Sequence, residues 1–590
     1  MPCYRLGRHF EMHPVVFPAA AVIVAGLVAM CFVVPGETLQ STLLGVRDWI
    51  GDRFGWLYVA SMSGFLLFSV WLALGRYGRV RLGRDDEQPE FSSLSWFAML
   101  FSAGMGIGLL FFSVAEPIYH FQSPPPGFAD GLDASRLSMA ATIFHWGLHP
   151  WALYAVVGLG LAYFGFRRQM PLSFRSLLHP ILGDRVWGRT GDVIDVLSIL
   201  ATLMGVATSL GIGAQQVNAG LSFLFGIPSG QGTQVMLIAA ITAMATVSVV
   251  LGLDAGIRRL SELNIALAAA LMLLVVLGGG VVAFLSASVE NFGAYLQVLP
   301  FNSFRTGAFS SESRDWVSSW TVFYWAWWIS WSPFVGMFIA RVSRGRTIRE
   351  FIGGVVLVPT VVAVLWLTAF GTATLRQHTA IRQEVTGNGS TESLPSFWVG
   401  QFDRDGKLVR NDDGSYARKE KSLTAVEYLQ AAVVTPGGQT RIDTLPTVLF
   451  VLLDELFQSQ WLVKLGVGIA TLCIVLFFVT SSDSASMVID MIASGGNPDP
   501  PMGTRLFWAI AEGLVAAALL YAGGLEALQA AAITAALPFV IVLIMACCGL
   551  VVALANEAAA IKTTGKVMAE EISVKNDAAG NAAAKIRVNS

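Results

Sequence analysis

The chain has 590 residues, of which 54% are hydrophobic and only 13% charged, and its mean hydropathy is +0.62. Soluble globular proteins carry about 25% charged residues, so this composition excludes an ordinary soluble domain. The formal net charge of −2 gives no sign of a nucleic-acid partner, and we expect none.

Apolar windows recur along the chain at the length needed to cross a bilayer, which is about 20 residues for a hydrocarbon layer of about 30 Å. The sequence therefore predicts an all-α polytopic membrane protein with twelve transmembrane helices. The predicted spans are 15–35, 55–76, 93–119, 138–165, 191–226, 234–254, 260–287, 315–340, 352–375, 458–486, 504–523 and 528–556. The apolar segment 446–457 is too short to span the membrane, and we predict that it forms a re-entrant or interfacial helix.

Arginines are distributed unequally between the short loops on the two sides of the predicted membrane. One side carries clusters at 76–84, 167–189 and 341–349. The other side carries only Arg47, Arg53, Arg136, Arg305 and Arg314. Because short cytoplasmic loops are enriched in positive residues, we expect both termini in the cytoplasm.

Three segments lie outside this apolar pattern. Residues 377–445 combine glycines, charges and turn dipeptides, which predict a hairpin-bearing extracytoplasmic insertion. Such an insertion is either a tolerated surface excursion or a cover or partner-binding element. Residues 288–314 predict an interfacial helix, and 557–590 a cytoplasmic tail that loses order after its first turns.

The spans after residue 92 divide into two blocks of five, 93–287 and 315–556, preceded by two peripheral spans within 1–92. An odd number of spans gives the blocks opposite orientations, which is the arrangement of an inverted repeat. Paired broken helices at equivalent positions point to the binding site of such transporters. The first span of block one carries "SAGMGIGLLFF" and the first of block two carries "WAWWISWSPF". We predict an unwound stretch at Gly104, Gly106 and Gly108, or else close helix packing, and a helix break at Ser332–Pro333.

Aromatic residues concentrate in two of these spans. Trp320, Tyr324, Trp327 or Trp328, and Trp331 follow at three- or four-residue spacing and share a helix face. Span four adds Trp146, Trp151 and Tyr154 in "FHWGLHPWALY". Ring faces attract a quaternary cation by about 0.5–2 kcal/mol each, so a cation cage is one interpretation. An interfacial aromatic belt and plain core packing are the others.

Polar groups at membrane depth supply further candidates. Hydroxyls in "FFVTSSDSAS" (477–486) either bond their own helix backbone or bind sodium, a hard cation that prefers oxygen ligands. For Glu116 and Asp483 we favour helix-end or gate contacts over proton transfer. For His145 and His149 we favour packing or hydrogen bonding over a proton relay.

Five segments together resemble the betaine/choline/carnitine transporter family in order and spacing. They are "AGMGIGLLFFSVAEP" (103–117), "WGLHPWALY" (146–154), "ATSLGIGAQQ" (207–216), "WTVFYWAWWISWSPFVGMFIARVSRGRTIREF" (320–351) and "TSSDSAS" (480–486). The resemblance implies a leucine-transporter-like core, an inverted five-helix repeat preceded by two extra helices, in the bacterial inner membrane and often as a homotrimer. It also implies onium substrates coupled to sodium, to protons or to an exchanged substrate.

The resemblance further assigns residues. The substrate-binding set is Trp146, Trp151, Tyr154 and Trp328 as an aromatic box, Trp327, Trp331 and Phe338 along the path, and Met105. The sodium set is the backbone oxygens of Ser102, Met105 and Phe477 with the hydroxyls of Thr480 and Ser481. A second sodium would use Thr202 and Phe334, but Val206 lacks the hydroxyl that the family has there. "GMGIG" resembles the sodium-coupled betaine carriers, whereas proton-coupled choline carriers have aspartate at the position of Gly108. "FFSVAEP" resembles the choline branch.

We therefore expect a secondary active transporter that imports glycine betaine or a related onium solute with sodium, and no other cofactor. Its expected partners are the small substrate, sodium, membrane lipid and identical subunits. Choline, carnitine, ectoine-like and dimethylsulfoniopropionate transport, with proton coupling or exchange, are alternatives within the family. A channel is an alternative outside it. An enzyme would need a nucleophile, a metal cluster or an acid/base pair at depth, and the sequence spacing reveals none.

Overall fold

The computed structural model describes residues 3–6, 10–104, 106–127, 133–250, 254–386, 396–400, 418–422, 432–434, 440–442 and 445–588, and these are largely helical. In chain order the helices are α1 (Val16–Val33), α2 (Gly36–Leu74), α3 (Ser93–Gly104), α4 (Ile107–Gln122), α5 (Ala134–Trp146), α6 (Leu148–Ala162), α7 (Phe174–Leu182), α8 (Arg189–Phe225), α9 (Gln231–Val250), α10 (Asp254–Gly279), α11 (Val281–Asn302), α12 (Ser311–Trp316), α13 (Phe323–Val342), α14 (Ile348–Thr386), α15 (Val448–Leu456), α16 (Gln460–Ala493) and α17 (Met502–Val588). Turns of 3₁₀ helix occupy Arg76–Arg79, Gly183–Trp187 and Leu445–Thr447, and π-helical turns occupy Tyr163–Arg167 and Val317–Val322.

Ten helical segments of the described chain are long and apolar enough to cross a membrane. Two predicted spans are not among them, because span three is divided into α3 and α4, and span eight is the tryptophan-rich α13. Spans eleven and twelve lie together in α17. Helix α11, which covers most of the predicted interfacial segment, also meets the criterion. The polytopic helical class is therefore observed, while the count of twelve, the inverted repeat and the domain boundaries remain predictions.

Glycines with positive φ set two helix boundaries that the sequence analysis placed differently. Gly280 (φ 96°) separates α10 from α11 inside predicted span seven. Gly524 (φ 62°) bends α17 between predicted spans eleven and twelve. Glycine accepts this backbone conformation without the penalty of a Cβ atom. Beyond the bend α17 continues as helix to Val588, although we predicted loss of order in this tail.

Six short strands complete the described structure. β1 (Tyr4–Leu6) and β2 (Phe10–Met12) form an antiparallel pair near the N-terminus. Within the predicted insertion, β3 (Ser396–Gly400), β4 (Arg418–Ser422), β5 (Ala432–Val434) and β6 (Thr440–Ile442) form an antiparallel sheet of order β4-β3-β5-β6. Antiparallel strands agree with the hairpins expected from the turn dipeptides. The rest of 387–444 lies outside the described residues, and a role for the insertion stays a prediction.

Helix α13 is almost entirely buried by its neighbours. It packs against α6, α8 and α17, and Trp325 and Trp327 are about 1% exposed. Helix α4 packs against α5 and α14. The aromatic face of α13 therefore lies inside the protein, not at a lipid-facing surface, which disfavours the interfacial-belt interpretation for its buried members.

Candidate functional site

The predicted unwound stretch of span three lies between α3 and α4. Helix α3 ends at Gly104, Gly106 has extended dihedrals (φ −143°, ψ −169°), and α4 begins at Ile107. Extended backbone at membrane depth is tolerated where it lines a cavity or is buried in protein. Met105 and the side chain of Ser102 lie outside the described residues, so their predicted substrate and sodium roles stay predictions.

Helix α13, in contrast, continues through Pro333, and the predicted break at Ser332–Pro333 was wrong. Proline lacks the N–H that would bond the carbonyl four residues earlier, here that of Ile329. The Ser332 hydroxyl donates to this same Ile329 carbonyl at 2.7 Å. The hydroxyl therefore satisfies the acceptor that proline leaves open, and the helix has no need to unwind.

Aromatic rings of α13 stack on one another and meet one ring from α5. The Trp327 and Trp328 rings lie 4.9 Å apart and are nearly parallel, at 10°. Trp146 contacts Trp328 edge to face, with centroids 4.8 Å apart. The Trp328 indole N–H donates to the His145 carbonyl at 3.0 Å, which fixes the ring against the end of α5. Two members of the predicted box are thus in direct contact.

The other two predicted box residues form a separate pair on α6. Trp151 and Tyr154 lie edge to face with centroids 5.6 Å apart. The predicted span 138–165 is interrupted at Gly147, where a Cβ atom would lie 2.6 Å from the Tyr295 hydroxyl. Tyr295, from α11, accepts a hydrogen bond from the Leu148 N–H at 2.9 Å. The interruption therefore depends on a contact between distant helices.

Gly108 on α4 lies against the aromatic group formed by α13 and Trp146. A Cβ atom there would lie 2.5 Å from the end of the Trp327 indole and 3.2 Å from that of Trp146. The Trp327 ring is itself stacked on Phe323 and Trp328, so it cannot move aside freely. Close approach of the rings to the α4 backbone therefore explains the glycine at this position.

The residues predicted along the path extend the same aromatic face. Trp331 is buried, contacts the Phe334 ring at 5.6 Å, and lies close to Gly106, whereas Phe338 is half-buried. Within the described part of the chain, the Tyr154 hydroxyl and the Trp331 indole nitrogen are buried without a hydrogen-bond partner. Buried polar groups are normally paired, so these two atoms can bond a ligand or water.

The predicted sodium ligands on α16 lie side by side. The Thr480 hydroxyl donates to the Leu476 carbonyl at 2.8 Å and lies 3.3 Å from the Phe477 carbonyl oxygen. This is the backbone-bonding alternative that we left open for these hydroxyls. Ser481 is half-buried next to it. The Phe477 carbonyl oxygen and the Thr480 hydroxyl oxygen are therefore neighbours. Sodium binding by these atoms stays a prediction.

The second predicted sodium site has fewer oxygen groups. The Thr202 hydroxyl donates to the Ser198 carbonyl at 2.7 Å, again within its own helix. Val206, one turn along, is fully buried, as Phe334 nearly is. Because valine supplies no oxygen side-chain ligand, the residues offer little support for a second ion.

Glu116 is the centre of a network that the sequence analysis did not identify. Its carboxylate is fully buried and accepts hydrogen bonds from His145 Nδ1 at 2.6 Å, His120 Nε2 at 3.2 Å and Trp146 Nε1 at 2.9 Å. The Tyr324 hydroxyl also donates to it. The expected helix-end contact is therefore a buried hub joining α4, α5 and α13. The one local signal was the i, i+4 spacing of Glu116 and His120, which places both on one helix face.

The remaining polar candidates have simpler surroundings. The His149 ring lies tilted against Trp325, with centroids 5.2 Å apart, and its ring nitrogens have no hydrogen-bond partner among the described residues. Asp483 pairs with Arg505 at 2.6 Å. His149 is therefore packed against a ring, as we favoured, whereas a gate role for Asp483 stays a prediction.

A family model described as "BCCT, betaine/carnitine/choline family transporter" matches residues 14–399 and 424–559, which is most of the chain. The chain belongs to the betaine/carnitine/choline transporter family. This confirms the resemblance found in the sequence, and it makes this BCCT protein a multi-pass membrane transporter and not an enzyme.

Similar proteins agree with the family model. The chain is 45% identical over 547 residues to an uncharacterized transporter of Mycobacterium tuberculosis, covering 91% of this chain and 82% of that protein. It is 41% identical over 557 residues to glycine betaine transporter 1 of Vibrio parahaemolyticus, covering 93% and 95%. A glycine betaine/proline/choline transporter of the same organism is 41% identical over 555 residues, covering 90% and 89%.

Proposed function

We propose that this BCCT protein is a secondary active transporter that imports glycine betaine, or a closely related quaternary-ammonium solute, together with sodium. The main support is the contact between the Trp146 and Trp328 rings, whose centroids lie 4.8 Å apart. This contact lies beside the interruption between α3 and α4. A quaternary ammonium has no N–H to donate and is attracted to ring faces. The faces of these buried tryptophan rings therefore suit its methylated head.

The carboxylate of betaine needs hydrogen-bond donors. The Tyr154 hydroxyl and the Trp331 indole N–H have no partner in the described structure and lie on the elements that carry the box residues. Donation from either to the carboxylate would satisfy a buried polar group that is otherwise unpaired. Phe338 and Trp327 complete the aromatic path along α13.

Sodium is proposed as the coupling ion at the helix interruption. Backbone oxygens of Ser102, Met105 and Phe477 and the hydroxyls of Thr480 and Ser481 would be its ligands, since sodium prefers oxygen donors. Because Val206 lacks a hydroxyl, the proposal includes one sodium and not two. Substrate and ion would be exposed alternately to the two sides as one helical bundle moves against the other.

The proposed setting is a homotrimer in the bacterial inner membrane with both termini in the cytoplasm. The arginine distribution between short loops supports this orientation. The trimer is supported by the resemblance to the family alone, and cross-linking of the purified protein would test it.

Choline is the second candidate substrate. A relative that is 41% identical carries the name glycine betaine/proline/choline transporter. In addition, the Glu116 carboxylate accepts a hydrogen bond from Trp146 of the predicted box, which places an acidic group at the edge of a ring that would face a cationic substrate. A net cation gains from such a charge, whereas a zwitterion gains less.

Uptake into proteoliposomes tests the proposal. We expect betaine uptake to require an inward sodium gradient, and choline, carnitine and dimethylsulfoniopropionate to compete less well across a range of sodium concentration and pH. Uptake driven equally well by a proton gradient without sodium would contradict sodium coupling. Ion conductance without stoichiometric substrate movement would instead indicate a channel.

The aromatic box has its own test. Trp328→Leu should raise the KM for betaine by about 2- to 30-fold, since each ring contributes about 0.5–2 kcal/mol. The matched control is Trp461→Leu, because Trp461 is 68% exposed on α16. Tryptophan fluorescence during betaine titration reports binding separately from transport. Unchanged binding and uptake in Trp328→Leu would rule out the box.

A further inference from the structure

We propose that Glu116, His120 and His145 form a binding site for a divalent transition-metal ion of the zinc class, and that filling this site arrests transport. The inference goes beyond the proposed function, because it concerns a ligand other than substrate or coupling ion and holds whichever solute is carried. It rests on three side chains that the fold brings together from α4 and α5.

The three candidate ligand atoms lie within 4.8 Å of one another and are fully buried. Glu116 Oε1 is 3.2 Å from His120 Nε2 and 2.6 Å from His145 Nδ1. Zinc binds nitrogen and oxygen at about 2.0–2.2 Å, which places tetrahedral ligands about 3.3–3.5 Å apart. A small separation of the Glu116 and His145 side chains would therefore admit the ion, with the fourth position left for water.

Neutral histidine can bind the ion here by a change of tautomer. Without metal, the His145 Nδ1–H donates to Glu116, and the opposite nitrogen, Nε2, lies 3.1 Å from the Thr321 hydroxyl oxygen. If the proton moves to Nε2, that nitrogen donates to Thr321 and Nδ1 is free to bind metal. His120 Nδ1 has no partner in the described part of the chain, so it can carry the proton when Nε2 binds.

Residues around the ligands resemble the supporting shell of protein metal sites. A metal-binding histidine usually bonds a neighbouring group through its other nitrogen, as His145 does with Thr321. A metal-binding carboxylate is itself usually hydrogen-bonded, and Glu116 Oε2 accepts from Trp146 and Tyr324. These contacts orient the candidate ligands before any ion arrives.

The ligand set selects the class of metal. Two imidazoles and one carboxylate suit zinc, nickel, cobalt or copper, whereas magnesium, calcium and sodium prefer oxygen ligands alone. The site would therefore be chemically distinct from the proposed sodium site, whose candidate ligands are all oxygens.

A bound ion would tie together helices that carry the proposed substrate site. Glu116 and His120 belong to α4, His145 to α5, and the carboxylate also bonds Trp146 and Tyr324. Metal bonds replacing hydrogen bonds at this hub would stiffen the junction beside the box. Alternating access requires helices near the site to move, so occupancy should slow every transported solute alike.

Metal binding to the purified full-length protein tests the site directly. The protein should carry an affinity tag without histidine, and metal content is measured after prolonged incubation because the ligands are buried. We expect one zinc per chain at a zinc concentration that just saturates the wild type. His120→Gln should bind zinc at least about 100-fold more weakly and retain little zinc there, because loss of even a supporting residue costs about 10–100-fold in affinity. Cobalt should give visible absorption bands typical of nitrogen ligands, and these should be lost in the variant.

His120→Gln preserves a donor for Glu116, and His120→Ala provides a second variant should the first not fold. His179→Gln is the matched control, because His179 is a half-exposed histidine on α7, outside the cluster. Zinc should abolish betaine uptake by the wild type and by His179→Gln but leave uptake by His120→Gln nearly unchanged. Equal zinc content in wild type and His120→Gln would overturn the site. Tight zinc binding that leaves betaine uptake unaffected would contradict the proposal that the bound ion arrests transport.

Discussion

The first helices of the two predicted repeat blocks respond differently to residues that disrupt helices. Between α3 and α4, three alternating glycines accompany a real interruption with extended backbone at Gly106. In α13, Pro333 leaves the helix intact because the Ser332 hydroxyl bonds the Ile329 carbonyl. One helix is interrupted at Gly106, and the other continues through its proline.

The difference shows what each helix contributes to the proposed site. An interrupted helix offers free carbonyl and amide groups, which suit an ion. An intact helix offers a rigid face, and the Trp327 and Trp328 rings on α13 are stacked nearly parallel at 4.9 Å. The two regions meet at Gly108, where the α4 backbone approaches the Trp327 ring. Substitutions at Gly108, at the proposed ion ligands and at the Ser332–Pro333 pair would each alter this arrangement.

The largest effect is expected at Gly108. In Gly108→Leu the side chain must displace Trp327 or Trp146, and overpacking of this kind costs about 1–3 kcal/mol. We expect betaine uptake to fall by about 100-fold, which corresponds to about 2.7 kcal/mol. Gly108→Ala should give a smaller loss in the same direction. Initial rates of uptake and tryptophan fluorescence measure both effects.

Gly64→Ala is the control, because a Cβ atom at Gly64 meets no other atom within 4 Å. It replaces a glycine in α2 without crowding a ring, so uptake should remain near that of the wild type. Full activity in Gly108→Ala and Gly108→Leu would show that the aromatic rings tolerate displacement. The interrupted helix and the tryptophan face would then be independent of each other.

Local sequence signals were enough to predict some of these features. Alternating glycines indicated the interruption before α4, and three- and four-residue spacing indicated the aromatic face of α13. The pairing of Trp146 with Trp328 followed from the family resemblance and not from spacing. Turn dipeptides indicated antiparallel strands in the insertion.

Features that depend on contacts between distant helices were missed. The interruption at Gly147 involves Tyr295 from α11, and the Glu116 network needs His145 and Tyr324 from two other helices. The intact helix at Pro333 was missed for a local reason, since a neighbouring serine hydroxyl replaced the lost donor. Sequence spacing describes one helix face at a time and does not report which faces meet.

The second largest effect is expected for the proposed ion at the interruption. Thr480→Val keeps the shape of the side chain but removes an oxygen ligand. We expect the sodium concentration for half-maximal betaine uptake to rise by about tenfold, or about 1.4 kcal/mol. Measuring uptake against sodium concentration at saturating betaine gives this value.

Thr471→Val is the matched control, since Thr471 lies on the same helix and donates to the Val467 carbonyl at 2.8 Å in the same manner. It removes an equivalent hydrogen bond away from the proposed ligands. If both variants shift the sodium dependence equally, the Thr480 hydroxyl stabilises its helix and does not bind the ion. The interruption would then lack one of its proposed sodium ligands.

The smallest effect concerns the intact helix. Ser332→Ala leaves the Ile329 carbonyl without the serine donor, and an unpaired buried acceptor costs about 1–3 kcal/mol. Because the helix can relax, we expect the free energy of unfolding to fall by only about 1 kcal/mol. This loss should appear as a lower Tm of the detergent-solubilised protein. In Ser332→Ala/Pro333→Ala the new N–H at position 333 can donate to the same carbonyl, so stability should return. Pro333→Ala alone should change little, because serine and amide then compete for one acceptor.

The double-mutant cycle isolates the compensation between the two residues. Equal losses in the single and double alanine variants would mean that the serine hydroxyl does not keep α13 helical, and another contact would have to explain why proline fails to break it.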